Sequence, residues 1–276
     1  MKRLCFGTAG VPLSSKDRST LGGVKEVSRL GLDSMEMEFV RGVRMSVDSA
    51  KEVGKVAEDL GVVLTAHGPY YINLLSPEES KVEASINRIV DTARIAYEAG
   101  GFSITFHAAY YGKLSKEEAF RVVRERLKRV MKILSDEGIE IWVRPETTGK
   151  ETQFGTLDEL IKLSEEIDGI LPCVDFAHIH ARSKGKFNTY KEFCDALEKL
   201  EDKLGREALD NMHIHFSGID YGEKGEKKHL NLEESDFNYR DLLKTLKDFK
   251  VKGVAISESP NIEGDAILMK NLWSSI

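Results

Sequence analysis

Cysteine, proline and long apolar runs are all scarce in this chain of 276 residues, and each shortage excludes a class of protein. The three cysteines, Cys5, Cys173 and Cys194, are too few and too widely spaced for a disulfide framework. No apolar run approaches the roughly 18 residues of a membrane-spanning helix, and the first residues lack a signal peptide's apolar segment, so we expect a cytoplasmic protein. The net charge of −6 does not favour general nucleic-acid binding, but it describes the whole surface rather than one face.

Short apolar or β-branched runs alternate with amphipathic stretches along the whole chain. Eight runs have the length and composition of strands: Leu4–Gly7, Ser34–Val40, Val62–His67, Ser103–His107, Ile139–Arg144, Ile170–Asp175, Met212–Phe216 and Gly253–Ser257. The clearest helical pattern is Ser115–Leu134, in which apolar residues recur at helical spacing after a Ser115–Glu118 capping box. Strands that alternate with helices predict a parallel sheet with right-handed crossovers.

Eight strand–helix units without a break in their rhythm predict a closed barrel, which typically takes about 250 residues. The alternative is an open doubly wound sheet. That fold usually carries a glycine-rich nucleotide-binding turn after its first strand, and residues 7–10 lack the GxGxxG spacing. We therefore predict an α/β fold, a single-domain (β/α)₈ TIM barrel over residues 1–276.

The histidines of this chain follow the predicted strand ends. They lie in or after the third, fourth, sixth and seventh strands: His67, His107, His178, His180, His213, His215 and His229. Three carboxylates, Glu146, Asp175 and Glu258, follow the fifth, sixth and eighth strands. Because the carboxyl ends of barrel strands converge on one mouth, six consecutive strands would bring histidine or carboxylate side chains to one bowl.

Each of these residues alone has an ordinary structural explanation, but the set does not. Buried carboxylates repel one another and are costly to desolvate, and a multivalent cation removes both objections. Imidazole and carboxylate donors suit Zn²⁺, with Mn²⁺ or Fe²⁺ as alternatives. The number of candidate donors exceeds the needs of one ion, so we predict two or three.

Strand alternation also predicts a supporting ion pair below this bowl. Arg144 shares a strand face with Glu146, and Glu36 and Glu38 share a face of the second strand. We expect Arg144 to pair with Glu36 or Glu38 and to support the metal ligands. In the alternative, the two glutamates face a polar surface.

These residues resemble the endonuclease IV group of apurinic/apyrimidinic endonucleases, within the wider xylose-isomerase-like TIM barrels. The resemblance covers essentially the whole chain, in residues 66–74 (AHGPYYINL), 105–107 (TFH), 144–147 (RPET), 174–178 (VDFAH), 212–215 (MHIH) and 257–260 (SESP). It implies a metal-dependent endonuclease of base excision repair that cleaves the DNA phosphodiester 5′ to abasic sites. In that reaction Glu146 would be the catalytic residue that positions a metal-activated hydroxide.

The resemblance also implies a trinuclear zinc centre. In it, His67 and His107 hold the first ion, Glu146 bridges it to the second, and the remaining ligands are Asp175, His213 and Glu258 for the second ion and His178 and His229 for the third. The family has an aspartate two residues before its last histidine, where this chain has Lys227. Glu226, His180 or His215 would have to substitute, or the third ion is weak or missing.

Abasic duplex DNA is the partner that the resemblance implies, and we expect a monomer that binds no membrane. Tyr70 matches an aromatic residue that the family inserts at the lesion. The other candidate substrate-binding residues are Tyr71, Arg144, His180, His215 and Lys228. For the tyrosines the alternative is packing at the rim, and for Lys228 it is a solvated surface charge.

A single-metal sugar isomerase or epimerase of the same superfamily is the competing hypothesis. Glu146, Asp175, His178, His213 and Glu258 satisfy its pattern equally well, with Glu146 and Glu258 as acid and base on the two faces of a carbon. The extra pair of histidines at the third and fourth strand ends favours the nuclease. A metal-binding scaffold without catalysis has no specific support in the sequence. Two or more ions per chain would favour the nuclease, and one the epimerase.

Overall fold

Strands and helices alternate through the computed structural model, which describes residues 1–276. The strands are β1 (Leu4–Ala9), β2 (Ser34–Glu38), β3 (Val63–His67), β4 (Ser103–Phe106), β5 (Ala109–Tyr110), β6 (Trp142–Pro145), β7 (Gln153–Phe154), β8 (Cys173–Asp175), β9 (Met212–Phe216), β10 (Gly218–Gly222), β11 (Gly225–Leu230) and β12 (Gly253–Ser257). The helices are α1 (Thr20–Arg29), α2 (Val47–Leu60), α3 (Glu79–Glu98), α4 (Lys116–Asp136), α5 (Leu157–Glu166), α6 (Phe176–Arg182), α7 (Tyr190–Leu204), α8 (Arg206–Asp210), α9 (Tyr239–Asp248) and α10 (Glu263–Ser275), with a 3₁₀ turn at Leu232–Glu234.

Eight parallel strands form the barrel in the order β6-β4-β3-β2-β1-β12-β9-β8. Parallel bridges from Val143 to Ile170 and from Glu146 to Cys173 join β6 to β8 and close the ring. The predicted (β/α)₈ TIM barrel is confirmed. Two antiparallel ribbons, β5–β7 and β10–β11, lie in the loops that follow barrel strands, and therefore at the mouth. No helix has the length and apolarity to cross a membrane.

Local sequence signals set the helix boundaries. Ser115 caps α4 through the predicted capping box with Glu118, and α4 extends two residues beyond the predicted end at Leu134. The boundaries differ most at β6, which begins at Trp142 rather than at Ile139. The sixth barrel strand is also shorter than predicted, because Ile170 makes only a single bridge before β8 begins.

Alternation along the strands separates an apolar outer layer from a polar barrel interior. In β9, Met212, Ile214 and Phe216 pack outward in an apolar cluster beneath the helices. The intervening His213 and His215 are fully buried inside the barrel. Strands β2, β3 and β4 follow the same pattern, with Ser34, Glu36, Thr65, Ser103 and Thr105 buried on the inward face. Strands β1 and β12 differ, because the register with β9 directs Cys5, Val254 and Ile256 inward as a small apolar cluster. The main apolar core thus surrounds the barrel, and most of the interior is polar.

Arg144 occupies the floor of the barrel, at the amino ends of the strands. Its guanidinium donates to the carbonyl oxygens of Pro172 and Asn211, at 3.1 and 2.5 Å, and lies over the ring of Phe102. The predicted pairing with Glu36 or Glu38 is therefore wrong. Strand alternation correctly predicts that Arg144 points into the barrel interior. It does not predict whether this long side chain bends toward the mouth or toward the floor. Burial lowers the pKa of Arg144 to about 9, and the residue does not reach the mouth as a substrate-binding group.

Candidate metal centre

Histidine and carboxylate side chains converge on one bowl at the mouth of the barrel. They come from every barrel strand between β3 and β12 and from the β10–β11 hairpin: His67, His107, Glu146, Asp175, His178, His215, His229 and Glu258. Six of the eight barrel strands thus contribute side chains to one space, which no single segment of the chain could form. The term "bowl" refers to these eight residues below.

Glu146 lies at the centre of the bowl and is fully buried. One oxygen, Oε2, is 3.3 Å from Nε2 of His67 and 3.1 Å from Nε2 of His107. The other, Oε1, is 3.1 Å from Nδ1 of His178 and 3.3 Å from Nδ1 of His215. Burial alone would raise the pKa of Glu146, but the positive charge of His107 and His215 holds it well below its usual range. An ionised carboxylate surrounded by four imidazoles has the position of a bridging ligand.

A second group lies on the opposite side of Glu146. Donor atoms of Glu146, Asp175, His215 and Glu258 are all within 4.8 Å of one another. Asp175 caps helix α6 by accepting a 2.6 Å hydrogen bond from the backbone of His178, which fixes its orientation. Burial raises the pKa of Asp175 to about 6, whereas burial and the charge of His215 oppose each other at Glu258 and leave its pKa lowered to about 2.

A third group joins His178, His229 and Glu258, whose donor atoms also lie within 4.8 Å of one another. The Nε2 atoms of His178 and His229 face each other at 3.2 Å. Glu226 places Oε2 3.7 Å from Nε2 of His178, whereas Lys227 is exposed and pairs with Asp220 at 3.5 Å. Glu226 is thus the residue that brings a carboxylate to this group.

A β-bulge explains why Glu226 rather than Lys227 faces the bowl. In the β10–β11 hairpin, Asp220 pairs with Lys228 and Tyr221 pairs with Glu226, so Lys227 is an extra residue without a partner. A bulge of this kind interrupts the two-residue alternation of side chains along the strand. Strict alternation from His229 would direct Lys227 inward, and the bulge directs Glu226 inward instead.

His213 and His215 occupy different depths from those that we predicted. His215 lies beside Glu146, with its Nδ1 also 3.4 Å from Oε1 of Glu258. His213 lies one layer deeper, where its Nδ1 is 2.9 Å from the hydroxyl of Ser103. His215, which we predicted to bind substrate, therefore lies among the candidate metal ligands of the bowl. His213, which we predicted to be a ligand, lies below them.

His180 lies outside the bowl. It shares the short helix α6 with His178, but residues two apart on a helix face different directions. Its Nδ1 is 3.1 Å from the carbonyl oxygen of Phe187 and its Nε2 is 3.0 Å from Asp236, and the ring packs against Tyr221. These contacts make His180 part of the packing of helix α6, not a group that contacts a substrate in the bowl.

Several donor atoms of the bowl have no hydrogen-bond partner although they are buried. They are Oε1 of Glu146, Oδ2 of Asp175, Nδ1 of His215 and Oε2 of Glu258. A buried polar atom without a partner costs about 1–3 kcal/mol, so each needs an explanation. Coordination of divalent cations satisfies all four at once, and oxygen and imidazole nitrogen donors suit such ions. The residues present therefore fit a metal centre.

Aromatic side chains form part of the rim of the bowl. Tyr70 and Tyr71 are 67% and 65% exposed, unusual values for large aromatic rings. A cavity of about 190 Å³ opens between Tyr70, His67 and His107. Lys228 is exposed next to His229, and strand alternation places it on the opposite face of β11.

A larger cavity of about 780 Å³ lies beside the bowl, where β2 ends. Its lining includes three arginines, Arg18, Arg41 and Arg44, and two glutamates, Glu38 and Glu52, and it lies at the N-termini of helices α1 and α2. Helix N-termini and arginine side chains both favour anions. These arginines were not among the predicted site residues, and the loop of residues 39–44, which carries Arg41 and Arg44, is short.

Comparison with known proteins gives both an endonuclease and an epimerase likeness. A protein of Methanocaldococcus jannaschii without an assigned function is 48% identical over 273 residues, which cover 99% of this chain and 98% of that relative. A probable endonuclease 4 of Natranaerobius thermophilus is 28% identical over 207 residues, or 71% of this chain and 70% of the relative.

Solved structures resemble the chain over nearly its whole length. A D-tagatose 3-epimerase-like protein superposes with a TM-score of 0.72 at 19% identity and covers 97% of this chain and 96% of its own. Endonuclease IV from Thermus thermophilus has a TM-score of 0.69, also at 19% identity, with coverages of 97% and 98%. At this identity the likeness shows the fold. Residues 24–272 match the family described as "Xylose isomerase-like TIM barrel", and the chain belongs to that family.

Proposed function

We propose that the protein is a metal-dependent endonuclease that cleaves the DNA phosphodiester 5′ to abasic sites, in base excision repair. The observation that carries this proposal is the number of donor groups around Glu146. A single ion needs only the group of Glu146, Asp175, His215 and Glu258. The further groups around His67 and His178 exceed the needs of a sugar epimerase but suit the two or three metal ions of a phosphodiesterase.

The residues that would hold the ions fall into three overlapping sets. His67, His107 and Glu146 would hold one ion, Glu146, Asp175, His215 and Glu258 a second, and His178 and His229 a third, with Glu258 and Glu226 nearby. Zn²⁺ is the proposed ion, with Mn²⁺ or Fe²⁺ as alternatives. Divalent ions bound there would supply Lewis acidity to activate water and positive charge to stabilise the phosphodiester.

The protein's own residues supply orientation and recognition. The ionised carboxylate of Glu146 draws Nε2 of His67 and of His107 toward the centre of the bowl. Tyr70 and Tyr71, exposed at the rim, would stack on bases beside the lesion and exclude water from the bowl. A sugar that lacks its base is extruded from the duplex at low cost, so a narrow bowl selects abasic sites over paired bases.

The arginine-lined cavity supports a polyanionic substrate. Arg41 and Arg44 are exposed without a carboxylate partner at one side of the mouth. Since phosphate contacts by arginine dominate DNA affinity, a duplex lying across the mouth would gain backbone contacts in this cavity. Neutral sugars have no comparable need for it.

A single-metal sugar isomerase or epimerase is the second candidate function. It is favoured by the compact group of Glu146, Asp175, His215 and Glu258, which suffices for one ion. In this alternative, Glu146 and Glu258 act as the acid and base on opposite faces of a sugar carbon.

Strand nicking tests the two functions against each other. Protein loaded with Zn²⁺ or Mn²⁺ is incubated with an end-labelled duplex that carries one stable abasic-site analogue, and with the undamaged duplex as control. We expect a single nick 5′ to the analogue, loss of nicking after chelation, and two or more ions per chain by elemental analysis. No nicking by protein with that metal content, or turnover of ketohexoses by protein with one ion, would overturn the endonuclease proposal.

A further inference from the structure

A second cluster of donor groups lies in the barrel interior, directly below the bowl. Cys173, His213 and His215 are each completely buried, and one donor atom of each lies within 4.8 Å of the others. Glu36, also completely buried, faces both histidines. Its Oε2 is 3.0 Å from Nε2 of His213 and its Oε1 is 2.9 Å from Nε2 of His215. These four residues are called the lower cluster.

Hydrogen bonding accounts for only part of the lower cluster. Despite the short separations, Oε1 of Glu36 and Nε2 of both histidines lack a partner with acceptable hydrogen-bond direction. An imidazole N–H bond lies in the ring plane and must point at its acceptor, so short distance without alignment forms no effective bond. Donor atoms that approach closely without pointing at one another are arranged as the ligands of a shared cation are.

Neighbouring residues hold two members of the cluster in place. Thr65 donates from its hydroxyl to Oε2 of Glu36 at 2.7 Å. Ser103 lies 2.9 Å from Nδ1 of His213, which leaves Nε2 of that ring for the cluster. Such outer contacts orient ligand side chains in metal sites and fix the ring nitrogen that coordinates.

We propose that Cys173, His213 and His215, with the carboxylate of Glu36 beside the two histidines, form an enclosed site for one thiophilic divalent cation below the bowl. A thiolate with imidazole and carboxylate donors suits Zn²⁺ in four-coordinate geometry, and sulfur disfavours Mg²⁺ and Mn²⁺. Complete burial leaves no position for substrate, so the ion is structural. Binding releases the thiol proton of Cys173, because the thiolate is the ligand.

His215 separates the two sites. Its Nδ1 faces Glu146 and Glu258 in the bowl, and its Nε2 faces Glu36 in the lower cluster. Ions at both nitrogens would require the ring to release its N–H proton to solvent, so His215 would bridge the two sites as an imidazolate, and the lower ion would fix the plane of the ring. The site does not depend on the proposed endonuclease reaction, since any chemistry in the bowl would use the same support.

Cobalt substitution tests the lower cluster through its thiolate. The bowl contains no cysteine, and neither Cys5 nor Cys194 belongs to a group of candidate ligands. Protein reloaded with Co²⁺ to the metal content of the zinc form is therefore expected to show thiolate-to-cobalt charge-transfer absorption in the near ultraviolet. The Cys173→Ser variant should lose this band and one ion per chain, and the matched Cys194→Ser variant should keep both.

The spectrum of the wild-type protein decides the question even if Cys173→Ser fails to fold. Absence of the band at full cobalt loading would overturn the proposal, as would a band that survives in folded Cys173→Ser or disappears in Cys194→Ser. The nicking assay is read independently. Nicking without the band refutes only the lower site, and the band without nicking refutes only the endonuclease.

Discussion

The two ends of the barrel differ in the hydrogen-bond partners of their buried charged side chains. At the floor, both terminal nitrogens of Arg144 donate to main-chain carbonyl groups, those of Pro172 and Asn211, and only its Nε lacks a partner. At the mouth, Glu146, Asp175 and Glu258 each keep a buried oxygen without a hydrogen-bond partner. Unpartnered buried atoms cost stability, and at the mouth they belong to several carboxylates that face the same histidines, which keeps those donor atoms available. The same difference predicts that matched substitutions at the two ends will have unequal effects on activity.

Glu146→Gln is expected to have the largest effect. The change preserves size but removes the charge that four imidazoles face. Nicking of the abasic duplex should fall by at least about 100-fold, since loss of partners outside the ligand shell alone costs about 10–100-fold. Single-turnover nicking measures the effect. The control is Glu140→Gln, the same change at an exposed residue just before β6, at the floor. Near-normal nicking by folded Glu146→Gln would remove Glu146 from its assigned role.

Glu226→Ala and Lys227→Ala test the bulged hairpin. Loss of the Glu226 carboxylate should reduce metal content and lower nicking by about tenfold, since it lies beside His178. Lys227→Ala should stay within about twofold of wild type, because Lys227 faces outward. Elemental analysis beside the nicking assay separates the two variants. The reverse ranking would mean that Lys227, not Glu226, serves the bowl.

Tyr70→Ala should weaken recognition of the lesion rather than metal binding. Stacking of a base on an aromatic ring is worth about 1–3 kcal/mol, so affinity for the abasic duplex should fall about tenfold at unchanged metal content. Fluorescence anisotropy with a labelled duplex measures the affinity. Tyr97→Ala, at an exposed tyrosine near the floor end of α3, is the matched control. Equal effects of the two variants would contradict stacking of Tyr70 on a base beside the lesion.

Arg44→Ala should give the smallest effect and depend most on salt. Loss of one phosphate contact lowers the slope of log affinity against log salt concentration by about 1. Titrations at several salt concentrations measure that slope. Lys55→Ala removes an exposed cation of α2 outside the arginine-lined cavity and should leave the slope unchanged. An unchanged slope in Arg44→Ala would place the DNA elsewhere.

Much of the mouth could be predicted from the sequence because barrel geometry turns chain position into spatial position. Glu146 and Glu258 lie far apart in sequence, yet both follow barrel strands and therefore meet at one end. Helix α4 was predictable for a similar reason, since the cap at Ser115 is a local signal that tertiary packing did not override. Barrel geometry predicted the first feature, and a local capping signal predicted the second.

Depth, bending and bulges could not be predicted. Alternation assigns His213 and His215 to the same face, but the stagger between strands decides which of them reaches the level of Glu146. Arg144 left its strand on the expected face, and its flexible chain then bent toward the floor carbonyls. The inward turn of Glu226 depends on one unpaired residue in a hairpin, which no periodic rule describes. These features depend on interactions between segments that are distant in the chain.

The bulge at Lys227 also limits what sequence alignment can reveal about evolutionary change at this position. Read letter by letter, a lysine stands where the resemblance predicts an acidic ligand, and the sequence looks as if that ligand were absent. In three dimensions the carboxylate of the preceding residue, Glu226, faces His178. An insertion of one residue in a hairpin can therefore move a functional group to a neighbouring codon without removing it, and homologues should be compared by the direction of side chains.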